Sequence, residues 1–577
     1  MSRTQWMVHG KKADFKAIGA AFGISPITAR IIRNRDVVGM DAVYQYLNGT
    51  AEDLYEPMLL PDMGKALEIL QGKIEGGKRI RIVGDYDIDG ICSTYLLYQA
   101  LKRVGANVDY EIPDRIKDGY GINDSIIRAA AAEGVDTILT CDNGIAAIDQ
   151  AKLARDLGMT MVVTDHHDIG QDEAGEDLLP QAAAVVNPKR KGSPYPFPEI
   201  CGGMVAYKVV KALYRIFGIP EEEWLDLMEF AALATVGDVM KLQDENRIVV
   251  KEGLKRIGKT KNLGLRKLIE KNNLDPARIT AYHIGFVIGP CLNASGRLET
   301  AKQALSLLLT QDEEEADRLA EKLRELNDTR KAMTAKGVEE ASALVEERYQ
   351  KDWVLVVYLP DCHESLAGIV AGRLRERYHK PAIVLTRGEE SIKGSGRSIE
   401  GYHMFESLTE AGDLLLKFGG HPMAAGLSLE EEKIDWLRQR LNENAKNKLT
   451  EDDFIEKLWI DVAVPFEYVS EPLIQELSCL EPFGQGNEKP QFAQKHLKIH
   501  RARVAGKNRN VVMLTLITES GLSMEARWFG DGDEFMKEKG SSQFMDVIYY
   551  PEINEYNGKR SLQVILRQYR FEGISEA

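Results

Sequence analysis

What this chain has little of narrows the field first. Its six cysteines, at positions 92, 141, 201, 291, 362 and 479, form no C-x-x-C pair and no regular framework. That argues against a disulfide scaffold and a structural zinc site, and fits a reducing cytosol. The opening Met1-Ser2-Arg3-Thr4-Gln5-Trp6 lacks the apolar region of a signal peptide. No window approaches the roughly eighteen uninterrupted apolar residues of a membrane span. The expectation is a soluble, cytoplasmic protein with no membrane partner. Positive charge is also in deficit: 74 Lys and Arg stand against 89 Asp and Glu, a formal net charge of −15. Such a surface as a whole repels a polyanion. One stretch departs from it, because from Lys489 to Arg509 basic residues stand at 489, 495, 498, 501, 503, 507 and 509 with no Asp or Glu among them. An acidic body with one basic segment still binds a strand locally.

At 577 residues the chain is too long for a single core. Residues 1–60 carry an amphipathic helical stretch, Pro26 to Arg35, and read as a leading appendage. Residues 61–310 alternate strand-like and helical runs, the pattern of a doubly wound α/β domain with a parallel sheet. Between 311 and 349 the composition turns to Glu, Lys, Arg, Leu and Ala, with Ala316, Leu319, Leu323 and Leu326 at helical spacing, which predicts a long connecting helix. A smaller α/β domain follows over 350–447. From 455 to 577 short alternating runs recur, such as Val511 to Leu516 and Leu562 to Leu566, with a hairpin signal at Tyr556-Asn557-Gly558-Lys559. The expected form is a small β-barrel of the OB type. In it Trp528, Phe529, Tyr549, Tyr550 and Tyr556 are candidate stacking faces for bases, although barrel cores also need aromatics.

The chemistry lies in four ordered motifs: Asp85-Tyr86-Asp87-Ile88-Asp89-Gly90, Asp142-Asn143-Gly144, Asp165-His166-His167-Asp168 and Gly237-Asp238. The first three follow β-branched runs, 79–83, 137–140 and 161–163, which read as buried parallel strands. Ligands of open α/β sheets bind beyond the carboxyl ends of the strands, so these carboxylates converge on one crevice. Packed carboxylates repel and are costly to desolvate, and a pair of divalent cations relieves both. Carboxylate oxygens with an imidazole suit Mn²⁺ or Mg²⁺. No Ser or Cys stands in an activated setting among these motifs, so the reaction expected is hydrolysis without a protein nucleophile.

With these motifs stand Gly394-Ser395-Gly396-Arg397-Ser398, Gly419-Gly420-His421-Pro422-Met423-Ala424-Ala425-Gly426, Leu292 to Leu298 and Leu480-Glu481-Pro482-Phe483-Gly484-Gln485-Gly486-Asn487. The ordered set resembles the DHH phosphoesterase superfamily with its DHHA1 domain and, more narrowly, the RecJ family of bacterial single-strand-specific exonucleases, over nearly the whole chain. The resemblance implies that Asp87 and Asp89 each face one of two metal ions, that Asp142 bridges both, and that His166 and Asp238 complete the shell. Asp85 is left as a ligand or a neighbour of one. His167 is expected to orient a ligand or meet the leaving group, and Asp165 to hold an imidazole N–H. By the same resemblance Arg115, Arg297, Ser395 and Arg397 surround a terminal 5′ phosphate, with His421 beside the nucleotide. Guanidinium forks and glycine-freed amides suit that dianion. The plainer reading pairs Arg297 with Glu299 and makes the glycine segments ordinary turns.

The implied activity is 5′→3′ hydrolysis of single-stranded DNA to mononucleotides, in recombination and repair. The implied partner is a strand with a 5′ end, supplied by a helicase or a single-strand-binding protein, and the domain count suits a monomer. The pattern departs from that family at Cys362, Ser365 and His403, where Trp, Gly and an acidic residue are common. Two competing functions stand beside it: a phosphodiesterase of short oligonucleotides or cyclic dinucleotides, and an inactive DHH scaffold in a replication assembly.

Overall fold

Five short runs pair in parallel in the order Asn107–Glu111, Arg79–Val83, Thr137–Cys141, Thr160–Thr164, Ala184–Val186. The computed structural model describes residues 4–572 apart from Tyr120 and Asn557, with the side chains of Tyr556 and Lys559 also outside the description. Helices cover the sheet, so Thr137–Cys141 is buried at every position, and its sequence is continuously apolar or β-branched rather than alternating. From Arg79–Val83 the chain steps out to Asn107–Glu111, then returns to the other side at Thr137–Cys141. That reversal is a switch point, the place where a crevice opens beyond the strand ends. The helix Ile88–Arg103, which follows the first strand, packs against Gly202–Ile216 and Met228–Gly237.

A helix of 32 residues, Glu313–Leu344, leads out of this domain. Asp312 caps it by accepting from Glu315 N, and Glu313 to Glu315 place negative charge at the positive end of the helix dipole. The predicted stripe Ala316, Leu319, Leu323 and Leu326 is its buried face. It packs against Glu364–Tyr378 of the next domain, where a sheet runs Leu415–His421, Ala424–Leu429, Ile392–Arg397, Ala382–Arg387, Leu355–Tyr358. Only the last pair is parallel.

Of the two glycine-rich segments, ordinary turns on the plainer reading, Gly394 to Arg397 lies within a strand of this sheet, and Gly419 to Gly426 forms two strands joined by a turn at Pro422 and Met423. Gly394 and Gly396 lie in register between Leu385 and Ile383 on one side and Leu427 and Ala425 on the other. A Cβ at Gly394 would stand 2.5 Å from Leu385 Cδ2, so close packing over the strand, not a turn, requires glycine.

These domains form one compact unit, and a second gathers residues 5–53, 241–248 and 457–577. Its centre is a closed barrel in the order Phe492–Ala505, Val511–Ile517, Ser523–Phe529, Lys559–Phe571, Phe544–Tyr556. The helix Gly532–Lys539 lies between the third and fourth strands in sequence, which is OB topology.

The N-terminal residues are not a leading appendage. Ile31, Ile32, Val43 and Tyr46 share a core with Phe466, Phe492, Leu497 and Tyr549. About fifty residues hold too little apolar surface to bury their own helical face, and the barrel completes it. Arg35 forks onto Asp461 at 2.7 and 2.9 Å, both side chains buried. The guanidinium of Arg247 stacks on Tyr46 and donates to the carbonyls of Tyr46, Cys479, Leu480 and Glu481. No single helix among the described residues is long and apolar enough to cross a membrane.

Candidate metal centre

The first motif is a turn wound around its own amides. Asp87 caps Ile88–Arg103, its Oδ1 accepting from Asp89 N at 3.0 Å and Gly90 N at 3.1 Å. Asn293 Oδ1 accepts from Ile88 N at 2.7 Å. A Cβ at Gly296 would stand 2.4 Å from Tyr86 O, so the helix Gly289–Leu298 presses directly on the turn. Asp89 is buried and takes two further amides, from Gly202 and Gly203.

Across the switch point Asp142 leaves its strand in the left-handed region, φ +59°. Asn143 ties the two strand ends together, its Nδ2 donating to Val83 O at 3.1 Å and Cys141 O at 3.0 Å. Asp165 is also buried, and its Oδ2 accepts from Ile145 N while Oδ1 accepts from His166 N and His167 N and meets His167 Nδ1 at 2.7 Å. Burial lowers the imidazole pKa, but the hydrogen bond and charge of Asp165 outweigh it and lift His167 to about 9. Asn187 Nδ2 donates to His167 O and fixes the same segment.

His166 is buried, and neither ring nitrogen makes a hydrogen bond among the described residues. Its Nε2 nevertheless faces three carboxylates: Asp142 Oδ1 at 3.1 Å, Asp89 Oδ2 at 3.6 Å and Asp238 Oδ2 at 3.7 Å. Asp238 stands at the end of the helix Met228–Gly237. Ligand atoms gather within 4.8 Å of one another in three groups: Asp85, Asp87 and Asp142; Asp89, His166 and Asp238; and Asp142, His166 and His167. Asp142 belongs to two of them.

The donor set fits a pair of hard divalent cations. Burial and then the charge of neighbouring carboxylates push Asp85, Asp87 and Asp142 above the ordinary range, and Asp238 up to about 8. Oδ1 of Asp85 makes no hydrogen bond among the described residues. Bound cations remove the cost of ionising such a cluster. Oxygen donors with imidazole favour Mn²⁺ or Mg²⁺.

Beside this cluster lie Arg115, Arg297, Arg330 and Arg397, none paired with a carboxylate among the described residues. Arg115 stacks on Tyr86, its guanidinium 4.0 Å from the ring centre. Arg297 is brought down to about 10, first by burial and then by the charges of Arg115 and Arg330. Its Nη1 donates to Ser365 O at 2.9 Å, in the first turn of Glu364–Tyr378. One turn on, a Cβ at Gly368 would meet Arg397 Nη2 at 3.0 Å and Ser395 Cβ at 3.4 Å. Thus Arg297, Ser395 and Arg397 all approach the start of one helix. Arg297 does not pair with Glu299, which meets Lys322 Nζ at 2.6 Å. His421 ends the strand Leu415–His421, exposed, and its charge helps hold Asp168 below the usual carboxylate range after the bond to Lys189 and against burial.

Of the three departures, Ser365 offers its carbonyl to Arg297, Cys362 bonds to His363 O, and His403 caps Met404–Thr409. Sequence reasoning missed Asn143, Asn187, Gly202, Gly203, Asn293 and Arg330. The Gly202-Gly203 doublet and Asn293 were visible signals, whereas Arg330 lies unmarked within the long charged helix.

In the barrel, Tyr549 is core, with its hydroxyl donating to Val464 O at 2.6 Å. Trp528 packs on Phe535 and Tyr569, and Tyr550 lies under Lys489 Nζ at 3.9 Å. Phe529 is 57% exposed. Tyr556, whose side chain was also a stacking candidate, lies outside the described residues. Lys498, Arg501 and Arg503 point outward along Phe492–Ala505.

Three family models match the chain: DHH family, N-terminal domain, over residues 79–236; DHHA1 domain over 351–447; and RecJ OB domain over 460–568. The single-stranded-DNA-specific exonuclease RecJ of Bacillus subtilis is 36% identical over 98% of this chain and 71% of its own length. The protein of the same name from Escherichia coli is 34% identical over 94% of this chain and 95% of its own length. The crystal structure of RecJ with Mn²⁺ from Thermus thermophilus superposes with a TM-score of 0.84 at 27% identity, covering 98% of this chain and 80% of that one. A Mg²⁺ complex from the same organism superposes with a TM-score of 0.77.

Proposed function

The chain belongs to the RecJ family, and from that premise we propose that it is a metal-dependent exonuclease of single-stranded DNA, releasing 5′-mononucleotides from the 5′ end in recombination and repair. Two Mn²⁺ or Mg²⁺ ions, when bound, would neutralise charge on the scissile phosphate and make water acidic enough to attack near neutral pH. In this reading Asp85, Asp87 and Asp142 would hold one ion and Asp89, His166 and Asp238 the other, and Asp142 would be shared by both groups. Asp165 fixes the ring of His167 and directs Nε2 toward the reacting phosphate or its leaving oxygen. Arg115, Arg297, Ser395 and Arg397 take the terminal phosphate, His421 lies along the nucleotide, and the outward basic residues of the barrel bind single-stranded DNA.

One observation carries the reading of a chain-end site. Arg115 stacks on Tyr86, the residue between Asp85 and Asp87, so cations without carboxylate partners border the metal centre directly. An endonuclease or a scaffold has no need of that border. Substrate strands opened by a helicase or held by a single-strand-binding protein, and taken up by a cytoplasmic monomer, complete the proposal.

The test is digestion of strands labelled at either end, with 5′-phosphate or 5′-hydroxyl, in Mn²⁺. The wild type is expected to release the 5′ label first as a mononucleotide and to stop under chelation. Asp142→Ala abolishes turnover, and Arg297→Ala removes the preference for a 5′ phosphate. Release from the 3′ end overturns the polarity, and faster cleavage of dinucleotides than of a long strand overturns the substrate.

A further inference from the structure

The helix Gly202–Ile216 begins without a cap of its own. Cys201, just before it, is extended and its side chain makes no capping hydrogen bond. The two leading amides donate instead to a carboxylate 113 residues earlier: Gly202 N to Asp89 Oδ2 at 2.8 Å and Gly203 N to Asp89 Oδ1 at 2.6 Å. First-turn amides are unpaired within the helix and carry the positive end of its dipole. A helix of 15 residues therefore grips both oxygens of Asp89.

The residue types at 202 and 203 follow from space. A Cβ on Gly202 would stand 2.6 Å from Asp142 Cβ and 2.7 Å from Asp142 Oδ1. A Cβ on Gly203 would stand 2.4 Å from Ala234 Cβ and 3.0 Å from Asp89 Oδ1. Ala234 lies on Met228–Gly237, the helix that delivers Asp238. The start of Gly202–Ile216 thus touches Asp89 through hydrogen bonds, Asp142 through van der Waals contact, and the carrier of Asp238 through Ala234.

We propose that Gly202 and Gly203 are positioning residues of the metal centre: the helix they begin is capped by Asp89 and sets the spacing of Asp89 from Asp142 and Asp238. This rests on the metal-centre reading above. Neither glycine supplies a ligand atom, yet a methyl on either displaces a carboxylate or its helix.

The test is Mn²⁺ titration of the full-length protein without DNA, followed by the electron paramagnetic resonance of free Mn²⁺, with circular dichroism as a check on folding. Gly202→Ala and Gly203→Ala are each expected to weaken Mn²⁺ binding about 10- to 100-fold, the usual cost of disturbing the groups that orient ligands. Ala234→Gly restores space for the new methyl in G203A and returns its affinity to near the wild-type value, while leaving G202A, whose conflict is with Asp142, unrescued. Wild-type affinity in both glycine variants, or equal rescue of both by Ala234→Gly, overturns the proposal. A second measurement needs neither variant to fold nor any metal to bind: metal-free melting of Asp89→Ala and Asp142→Ala. Asp142→Ala relieves like-charge repulsion and melts higher than wild type, whereas Asp89→Ala also uncaps the helix and melts lower. If both melt higher, Asp89 is no cap and the positioning role fails. If the wild type itself binds no Mn²⁺, the metal-centre reading fails, and the two alanine variants still decide the cap.

Discussion

His167 Nδ1 stands 2.7 Å from Asp165 Oδ1, and the same oxygen accepts the backbone amides of His166 and His167. A single carboxylate therefore sets both the orientation of one imidazole and the path of the chain carrying its neighbour. Asp165→Asn keeps the shape but replaces one acceptor oxygen by an N–H donor. Mn²⁺ affinity and turnover are expected to fall about 10- to 100-fold, as for other carboxylates behind a metal-centre histidine. Titration with Mn²⁺ and rates at saturating Mn²⁺ measure the two effects, and wild-type values in both would show that Asp165 holds nothing of consequence.

Metal-free stability should depend on pH with a definite sign. Burial, then mutual repulsion, raises Asp85, Asp87 and Asp142, and raises Asp238 to about 8. A carboxyl with a raised folded pKa contributes stability that is fully present below its unfolded value of about 4 and is lost as pH rises through its folded value. The metal-free protein is expected to melt lower at pH 8 than at pH 5.5, and saturating Mn²⁺ to flatten the dependence. Calorimetry in buffers of different ionisation enthalpy should record proton release on Mn²⁺ binding. A metal-free melting temperature that rises over this window contradicts the account.

A separate buried acid gives an independent test of the same linkage. Burial lifts Glu229 to about 7, even though Thr260 donates to its Oε1 at 2.7 Å. Its contribution is lost between about pH 4.5 and 7, so Glu229→Gln should be the more stable form at pH 8 by on the order of 2–3 kcal/mol and nearly neutral at pH 4.5. Urea unfolding at the two pH values measures this, and an equal effect at both would point to packing rather than ionisation.

In the barrel, exposure separates two aromatics of similar size. Phe529→Ala should weaken binding of a long strand by about 1–3 kcal/mol, the usual value of one stacked base, without lowering the melting temperature much. Tyr549→Phe should leave strand binding unchanged and destabilise the fold by about 1 kcal/mol or more, because Val464 O loses its buried donor. Equilibrium binding to a fluorescent oligonucleotide and thermal melting read the two outcomes, and unchanged affinity in Phe529→Ala would place the strand away from that ring.

The parallel sheet was legible from its central strands Thr137–Cys141 and Thr160–Thr164, which are buried apart from Thr160 and read as apolar or β-branched runs, whereas the edge strand Asn107–Glu111 is polar, partly exposed and gave no such signal. Three of the acidic motifs were legible because they follow strands, while Asp238 follows a helix. The long helix was legible from the spacing of Leu319, Leu323 and Leu326. Gly394 and Gly396 misled, since glycine signals a turn unless the packing partner, here Leu385, is known. Gly202 and Gly203 showed as a doublet, but the neighbours that require them, Asp142 and Ala234, did not show in the sequence. The place of residues 5–53 was hidden too, because an amphipathic face does not name what covers it.

That last pairing reaches into how the protein is made. Arg35 and Asp461 are 426 residues apart. A ribosome adding about 5–20 residues per second needs roughly 20–85 s to travel between them. Through that interval Ile31, Ile32 and Tyr46 have been synthesised but the barrel that covers them has not. This segment is thus made well before the barrel that completes its core, and its apolar face stays open to a chaperone until then.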